Sequence, residues 1–146
     1  VTGGVAEAVV RYCLPDKSNN ALQAIRVTDL RGDGAIREVN LTVEGQELHL
    51  AIVNGLSHAK ELIADVEAGK RFYHLVEVMT CQGGCVGGAG QPYGLTAGKK
   101  GRGAGLYEAD SSAMFKRAEK NPIVTRLLED YGPDRCHELL HVHYGE

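Results

Sequence analysis

The residues in this sequence best equipped for chemistry are two cysteines, Cys81 and Cys85, in the stretch Glu77-Val78-Met79-Thr80-Cys81-Gln82-Gly83-Gly84-Cys85-Val86-Gly87-Gly88-Ala89-Gly90-Gln91-Pro92. Thiolates at i and i+4 share one side of a helical turn. Thiolates are also the ligands that hold iron–sulfur clusters. Cluster sulfides accept hydrogen bonds from backbone N–H groups, and glycines let that backbone come close. Zinc knuckles use cysteines with about two to four intervening residues, together with a second ligand pair, and no such pair is evident. Spacing alone leaves a metal cluster and a metal-free glycine loop both open.

Other residues have chemical and bland readings side by side. Cys13 and Cys136 fall on apolar helical faces, where cysteine behaves as a small hydrophobe; both are expected in the core rather than as ligands. His137-Glu138-Leu139-Leu140-His141 matches the H-E-x-x-H pattern of zinc hydrolases, with two imidazoles one turn apart and a glutamate base. The chain ends five residues later, which leaves little room for a third ligand, and His143 falls on the other side of the helix. A surface or interdomain role for these histidines is the expectation. Lys99, Lys100 and Arg102 form a basic run of the kind that is usually solvated, with docking of an electron carrier as the functional alternative. Glu77 sits in an apolar strand and would be costly to bury unpaired. A hydrogen-bonding role beside the cysteine loop or a surface position at the strand end would each account for it.

The elements that must position these residues follow from periodicity. Val5, Ala8, Val9, Tyr12 and Cys13 trace one helical face, stopped at Pro15. Residues 21–27 can form a strand. Residues 36–44 alternate, with Val39, Leu41 and Val43 on one side; a turn at Glu44-Gly45-Gln46 leads into Leu48–Val53, apolar on both faces and so the more central strand. Leu56, Ala59, Leu62, Ile63 and Val66 trace a helix closed by Gly69, and Tyr73–Val78 forms a further strand. Residues 48–78 thus read as a βαβ unit with parallel strands, with Cys81 just past its carboxyl edge, where open α/β sheets place ligands. Residues 83–105 hold ten of the 19 glycines, and the stretch around 82–105 is expected to be the least ordered. The remainder is helical, with one apolar face of Val124, Leu127, Leu128 and Tyr131 and another of Cys136, Leu139, Leu140 and His143, on either side of a break at Gly132-Pro133. The fold class is α/β: a small mixed β-sheet with a βαβ unit flanked by helices, then a helical C-terminal tail.

Bulk properties fit one globular domain. The 146 residues are 43% hydrophobic and 24% charged, enough for a core without disulfides. A net charge of −3 argues against a general nucleic-acid binder, which needs a basic surface. No apolar run approaches the ~20 residues of a membrane span. There is no signal peptide, and the start at Val1 without a methionine reads as a cut inside a longer chain.

The cysteine stretch closely resembles the third signature motif of iron-only (FeFe) hydrogenases, roughly E-x-M-[AT]-C-x-G-G-C-x-x-G-G-G-Q-P, with Ala89 in place of a glycine. Thr2-Gly3-Gly4-Val5-x-Glu7-Ala8 resembles the family's T-G-G-V-M-E-A segment, and Ile52-Val53-Asn54-Gly55 a strand end and turn. Arg102-x-x-Gly105-Leu106-Tyr107-x-x-Asp110, Asn121-Pro122 and His137-x-Leu139-Leu140-His141-x-x-Tyr144 resemble a region that some members carry as a small subunit. The resemblance implies residues 1–95 as the C-terminal lobe of the large-subunit catalytic domain and 96–146 as a small-subunit-like helical tail. It implies a 4Fe–4S cubane joined to a two-iron subcluster (the H-cluster), with Cys81 on the cubane and Cys85 bridging the two. Met79 would pack beside the two-iron unit and Val5 would cover its carbonyls. The implied activity is reversible oxidation of H2 to protons and electrons, with ferredoxin or NAD(P)-linked subunits as electron partners, in the cytoplasm or the periplasm. The family's other cubane cysteines, its proton-relaying cysteine and its cyanide-binding lysine lie in upstream motifs. The isolated chain is therefore expected to be inactive and to bind no cofactor, needing the rest of the hydrogenase subunit. A hydrogen sensor or an iron–sulfur assembly relative of the same fold is the near alternative, and the zinc hydrolase the distant one.

Overall fold

A computed structural model describes residues 1–14, 31–32, 34–43, 45–93 and 96–142. The strand expected over 21–27 and the helix stop at Pro15 lie outside the described residues. The chain divides into two compact units, Val1–Ala113 and Met114–Glu146.

The first unit is built on a three-stranded sheet. Strand β1 (Ile36–Val43) and strand β2 (Gln46–Asn54) form the expected antiparallel hairpin, with Val39 opposite Leu50. Strand β3 (Leu75–Met79) runs parallel to β2, with Asn54 opposite Met79, so the sheet order is β1-β2-β3. The central position of β2 explains its two apolar faces: Leu50, Ala51, Ile52 and Val53 are all buried. Helix α1 (Gly4–Cys13) supplies Ala6 and Val10 to one face, against Val39, Leu50 and Ile52. Helix α2 (Leu56–Glu67), the crossover between β2 and β3, supplies Ala59 and Leu62 to the other, against Ala51 and Val53. Burying each large aliphatic in these layers contributes about 1.5–3 kcal/mol.

Two expectations are corrected in this unit. Periodicity placed Val5, Ala8, Val9, Tyr12 and Cys13 inside, but Val5 is 57% exposed, Tyr12 is 62% exposed and Cys13 is exposed. The buried face of α1 is Ala6, Glu7, Val10 and Arg11. Its two charged members are paired with each other and with Arg31 and Asp110, which offsets the cost of taking them out of water. The glycine-rich stretch is not loop throughout either: helix α3 (Thr96–Ser112) begins inside it. Gly103 is buried there, and a Cβ on it would make ordinary contact with Val1 Cγ2 at 3.8 Å.

The second unit centres on helix α4 (Pro122–Leu140). Asn121 caps it by accepting from the Ile123 N–H, and Pro122 occupies its first turn, a favoured start. The expected break is present: Gly132 has φ 75° and ψ 160°, with Pro133 next. Cys136 is buried as expected, and its thiol donates to the Leu127 carbonyl at 3.6 Å across the kink. Leu127, Leu128, Tyr131, Leu139 and Leu140, expected on apolar faces, are exposed.

Candidate metal centre

The cysteine loop springs from the carboxyl end of the parallel pair. The Gly55 N–H donates to the Met79 carbonyl at 2.7 Å and fixes the end of β3. Cys81 follows two residues later. Gly83 and Gly84 then take φ of 85° and 70°, and the Gly84 N–H closes the turn on the Cys81 carbonyl at 2.9 Å. A short 3-10 turn, Gly84–Gly87, carries Cys85. Left-handed backbone of this kind is glycine's province.

The glycines also have spatial reasons. A Cβ on Gly84 would lie 2.9 Å from the Thr2 nitrogen, and one on Gly87 only 2.4 Å from the Gln82 carbonyl oxygen. At Gly88 a Cβ would lie 3.5 Å from Cys81 Sγ, so the missing side chain leaves that flank of the sulfur open. Both thiols are exposed. Two accessible soft donors on a tight glycine turn suit a thiophilic metal or one edge of an iron–sulfur cluster rather than a hard cation. Among the described residues no group of three or more His, Cys, Asp or Glu is placed to hold a metal ion. The loop thus offers two thiolates of the four that such a cluster takes.

Buried polar side chains tie this loop to the start of the chain. Asn54, 2% exposed, accepts from the Thr2 hydroxyl at 2.5 Å and the Gly83 N–H at 3.2 Å. Its amide donates to the Gly34 carbonyl at 2.6 Å and the Gly32 carbonyl at 3.3 Å. Glu77, 7% exposed, accepts from the Gly3 N–H at 2.6 Å and the Ala6 N–H at 2.7 Å. It caps the N-terminus of α1, where no local side chain does. The hydrogen-bonding reading of Glu77 therefore holds over the surface one, though its partners belong to the helix. These links place half-buried Met79 and exposed Val5 on elements that Glu77 joins. Thr2 and Asn54 as joints were not legible in the sequence: small polar residues at a strand end and a chain start carry no signal of partners 52 positions apart.

Glu7 and Arg11 on α1, both buried, form a charge network with the part-buried Arg31 and, on α3, the part-buried Asp110. Glu7 pairs with Arg11 and Arg31, and Asp110 lies 3.3 Å and 3.4 Å from the same two guanidiniums. Burial holds the Glu7 carboxyl above the ordinary carboxylate range, outweighing the two arginines, which pull it down. The basic run on α3 is not simply solvated. Arg102 is half-buried, and its Nε donates to the Val86 carbonyl at 2.9 Å. Lys99 Nζ lies 3.1 Å from where a Gly87 Cβ would be. A cavity of about 480 Å³ opens between loop and helix, lined by Gln82, Gly83, Val86, Lys99, Lys100 and Tyr107 among others.

In the second unit the His137 and His141 rings stack at 4.3 Å between centroids. Glu138, the base of the zinc-hydrolase pattern, is engaged by Arg135 at 2.5 Å.

Residues 1–89 match the family model described as iron only hydrogenase large subunit, C-terminal domain, and residues 98–146 the one described as iron hydrogenase small subunit. The NADP-reducing hydrogenase subunit HndD of Solidesulfovibrio fructosivorans is 36% identical over 99% of this chain, which covers 26% of that protein. A solved structure of a variant of the FeFe-hydrogenase HydA1 from Chlamydomonas reinhardtii superposes with a TM-score of 0.71 at 32% identity, over 99% of this chain and 44% of that one. A probable cytosolic Fe-S cluster assembly factor of Drosophila ananassae is 29% identical over 98% of this chain and 31% of its own length. The chain thus spans about a quarter to a third of these curated relatives.

Proposed function

The chain belongs to the iron-only hydrogenase family, and on that premise we propose that Cys81 and Cys85 are two of the ligands of a hydrogen-activating iron–sulfur centre in the full-length protein. The observation that carries this is the pair of exposed thiols on a glycine turn at the carboxyl edge of the parallel strands, with Gly88 leaving Cys81 Sγ open. Cys81 would hold a 4Fe–4S cubane, and Cys85 would join the cubane to a two-iron subcluster. When bound, that group supplies reversible heterolytic cleavage of H2 and an exit for its electrons.

This chain's own residues orient and enclose. Asn54 and Glu77 hold the loop and the N-terminus of α1 on one scaffold, so that Met79 and Val5 can offer apolar surface beside the ligands and exclude water there. The exposed face of α1, with Val5, Val9 and Tyr12, would meet the rest of the subunit. Residues 1–95 would serve as the large-subunit lobe and 96–146 as the small-subunit-like tail. A ferredoxin or an NAD(P)-linked subunit would receive the electrons.

The test is the full-length protein with Cys85→Ala and, separately, Cys81→Ala. Loss of hydrogen turnover in both, with lowered iron and acid-labile sulfide, is the expected result. Unchanged iron content in both variants would sink the ligand assignment. The likeness to cytosolic assembly factors favours a second reading, a cluster carrier without hydrogen chemistry. Iron bound through both cysteines with no hydrogen turnover in the unaltered protein would select it.

A further inference from the structure

The loop that carries Cys85 is gripped by side chains on both flanks, and the two grips come from different parts of the chain. On one flank the Gly83 N–H is held by Asn54 Oδ1 at 3.2 Å. On the other, the Val86 carbonyl accepts from Arg102 Nε at 2.9 Å. Val86 itself is buried. Asn54 lies in the segment that matches the large subunit, Arg102 in the segment that matches the small subunit.

Helix α3, which carries Arg102, has weak intrinsic reasons to form. It contains Gly98, Gly101, Gly103 and Gly105, each costing roughly 0.5–1 kcal/mol relative to alanine. Its stability must come from what it packs on. That packing includes the loop and the chain start, with Arg102 on Val86, Lys99 beside Gly87 and Gly103 facing Val1, and the pairing of Asp110 with Arg11 and Arg31. Ordering α3 and ordering the cysteine loop are therefore coupled.

We propose that Arg102 is a positioning residue for the metal centre: by holding the Val86 carbonyl it fixes the backbone of Cys85, so that the small-subunit-like segment is part of the cluster site. This rests on the reading that Cys85 is a cluster ligand. The role assigned to Arg102 is its hold on the Val86 carbonyl, so it acts through the loop. A charge-assisted hydrogen bond to a backbone group is strong enough that its loss changes an equilibrium roughly tenfold.

The experiment compares full-length wild-type protein with Arg102→Leu and Arg102→Lys after anaerobic reconstitution with iron and sulfide. Two quantities are read: the rate at which a chelator strips iron, and amide exchange at Gly84 and Gly88, whose N–H groups bond the Cys81 and Cys85 carbonyls. The Leu variant is expected to lose iron roughly tenfold faster. Its Gly84 and Gly88 amides should exchange faster while those of Leu50–Val53 in β2 do not change. The Lys variant, which keeps a cationic donor, should stay within about threefold of wild type. Wild-type iron release and wild-type exchange in the Leu variant would overturn the proposal. Should the β2 amides also lose protection, the Leu variant has unfolded, and Arg102→Met carries the comparison. Its side chain keeps apolar bulk but has no N–H to donate to the Val86 carbonyl, so rapid iron loss supports the proposal and wild-type behaviour overturns it. A wild-type protein that takes up no iron would instead defeat the ligand role of Cys81 and Cys85, and the exchange measurement would still decide the grip of Arg102.

Discussion

Removing the Glu77 carboxylate should detach the N-terminus of α1 from the sheet. Both of its oxygens are used, accepting from Gly3 and Ala6 at 2.6 Å and 2.7 Å, in a site where Glu77 is 7% exposed. A hydrogen bond to a charged group is worth about 1.5–3 kcal/mol. The positive end of a helix adds about 0.3–1 kcal/mol for a nearby anion. The naive sum of about 3–7 kcal/mol overcounts, because the two bonds share one carboxylate and water can enter after truncation. For Glu77→Ala the expected loss is about 2–4 kcal/mol, the range of a buried charge-assisted pair. Glu77→Gln keeps one acceptor and should lose about half as much. Urea unfolding of this chain followed by circular dichroism gives the number, and amide exchange at Gly3 and Ala6 gives the location. Glu61→Gln, exposed on α2, is the control and should stay within about 0.5 kcal/mol. A Glu77→Ala loss no larger than that control, or unaltered exchange at Gly3 and Ala6, would refute the capping argument.

Gly84→Ala combines a left-handed φ of 70° with a Cβ 2.9 Å from the Thr2 nitrogen; it should cost about 2 kcal/mol or more in thermal or urea unfolding, whereas Gly45→Ala, with nothing within 4 Å of its Cβ, should cost only the φ penalty of about 1–2 kcal/mol. Glu7 titrates above its ordinary 4.5 when folded, with Arg11, Arg31 and Asp110 around it. Its contribution is thus most favourable below 4.5 and declines as pH rises from there to the raised folded value. Glu7→Gln should flatten that part of the stability–pH curve, and an identical slope in both proteins would count against it. This chain on its own should neither take up nor evolve hydrogen, since on the proposed reading Cys81 and Cys85 are only part of the ligand set; turnover in a methyl-viologen assay would contradict that.

The sequence by itself determined what local periodicity and local stereochemistry can encode. The alternation of Val39, Leu41 and Val43 and the two-faced run Leu50–Val53 gave the hairpin and the central strand. The glycine-proline pair gave the break in α4. The cysteine spacing and its glycines marked the loop without deciding between a cluster and a metal-free turn, and the resemblance of the whole motif pointed to the cluster. The tertiary structure alone decided which face of α1 is buried, because an apolar stripe records only that surface is apolar, and the charges of Glu7 and Arg11 found partners at Arg31 and Asp110 far along the chain. It also decided how the site is held. Thr2 with Asn54, Gly3 with Glu77, and Val86 with Arg102 are hydrogen bonds between residues 52, 74 and 16 positions apart. Such bonds leave no period in the sequence, since each needs only one donor and one acceptor brought together by the packing of α1 and α3 around the sheet and its loop.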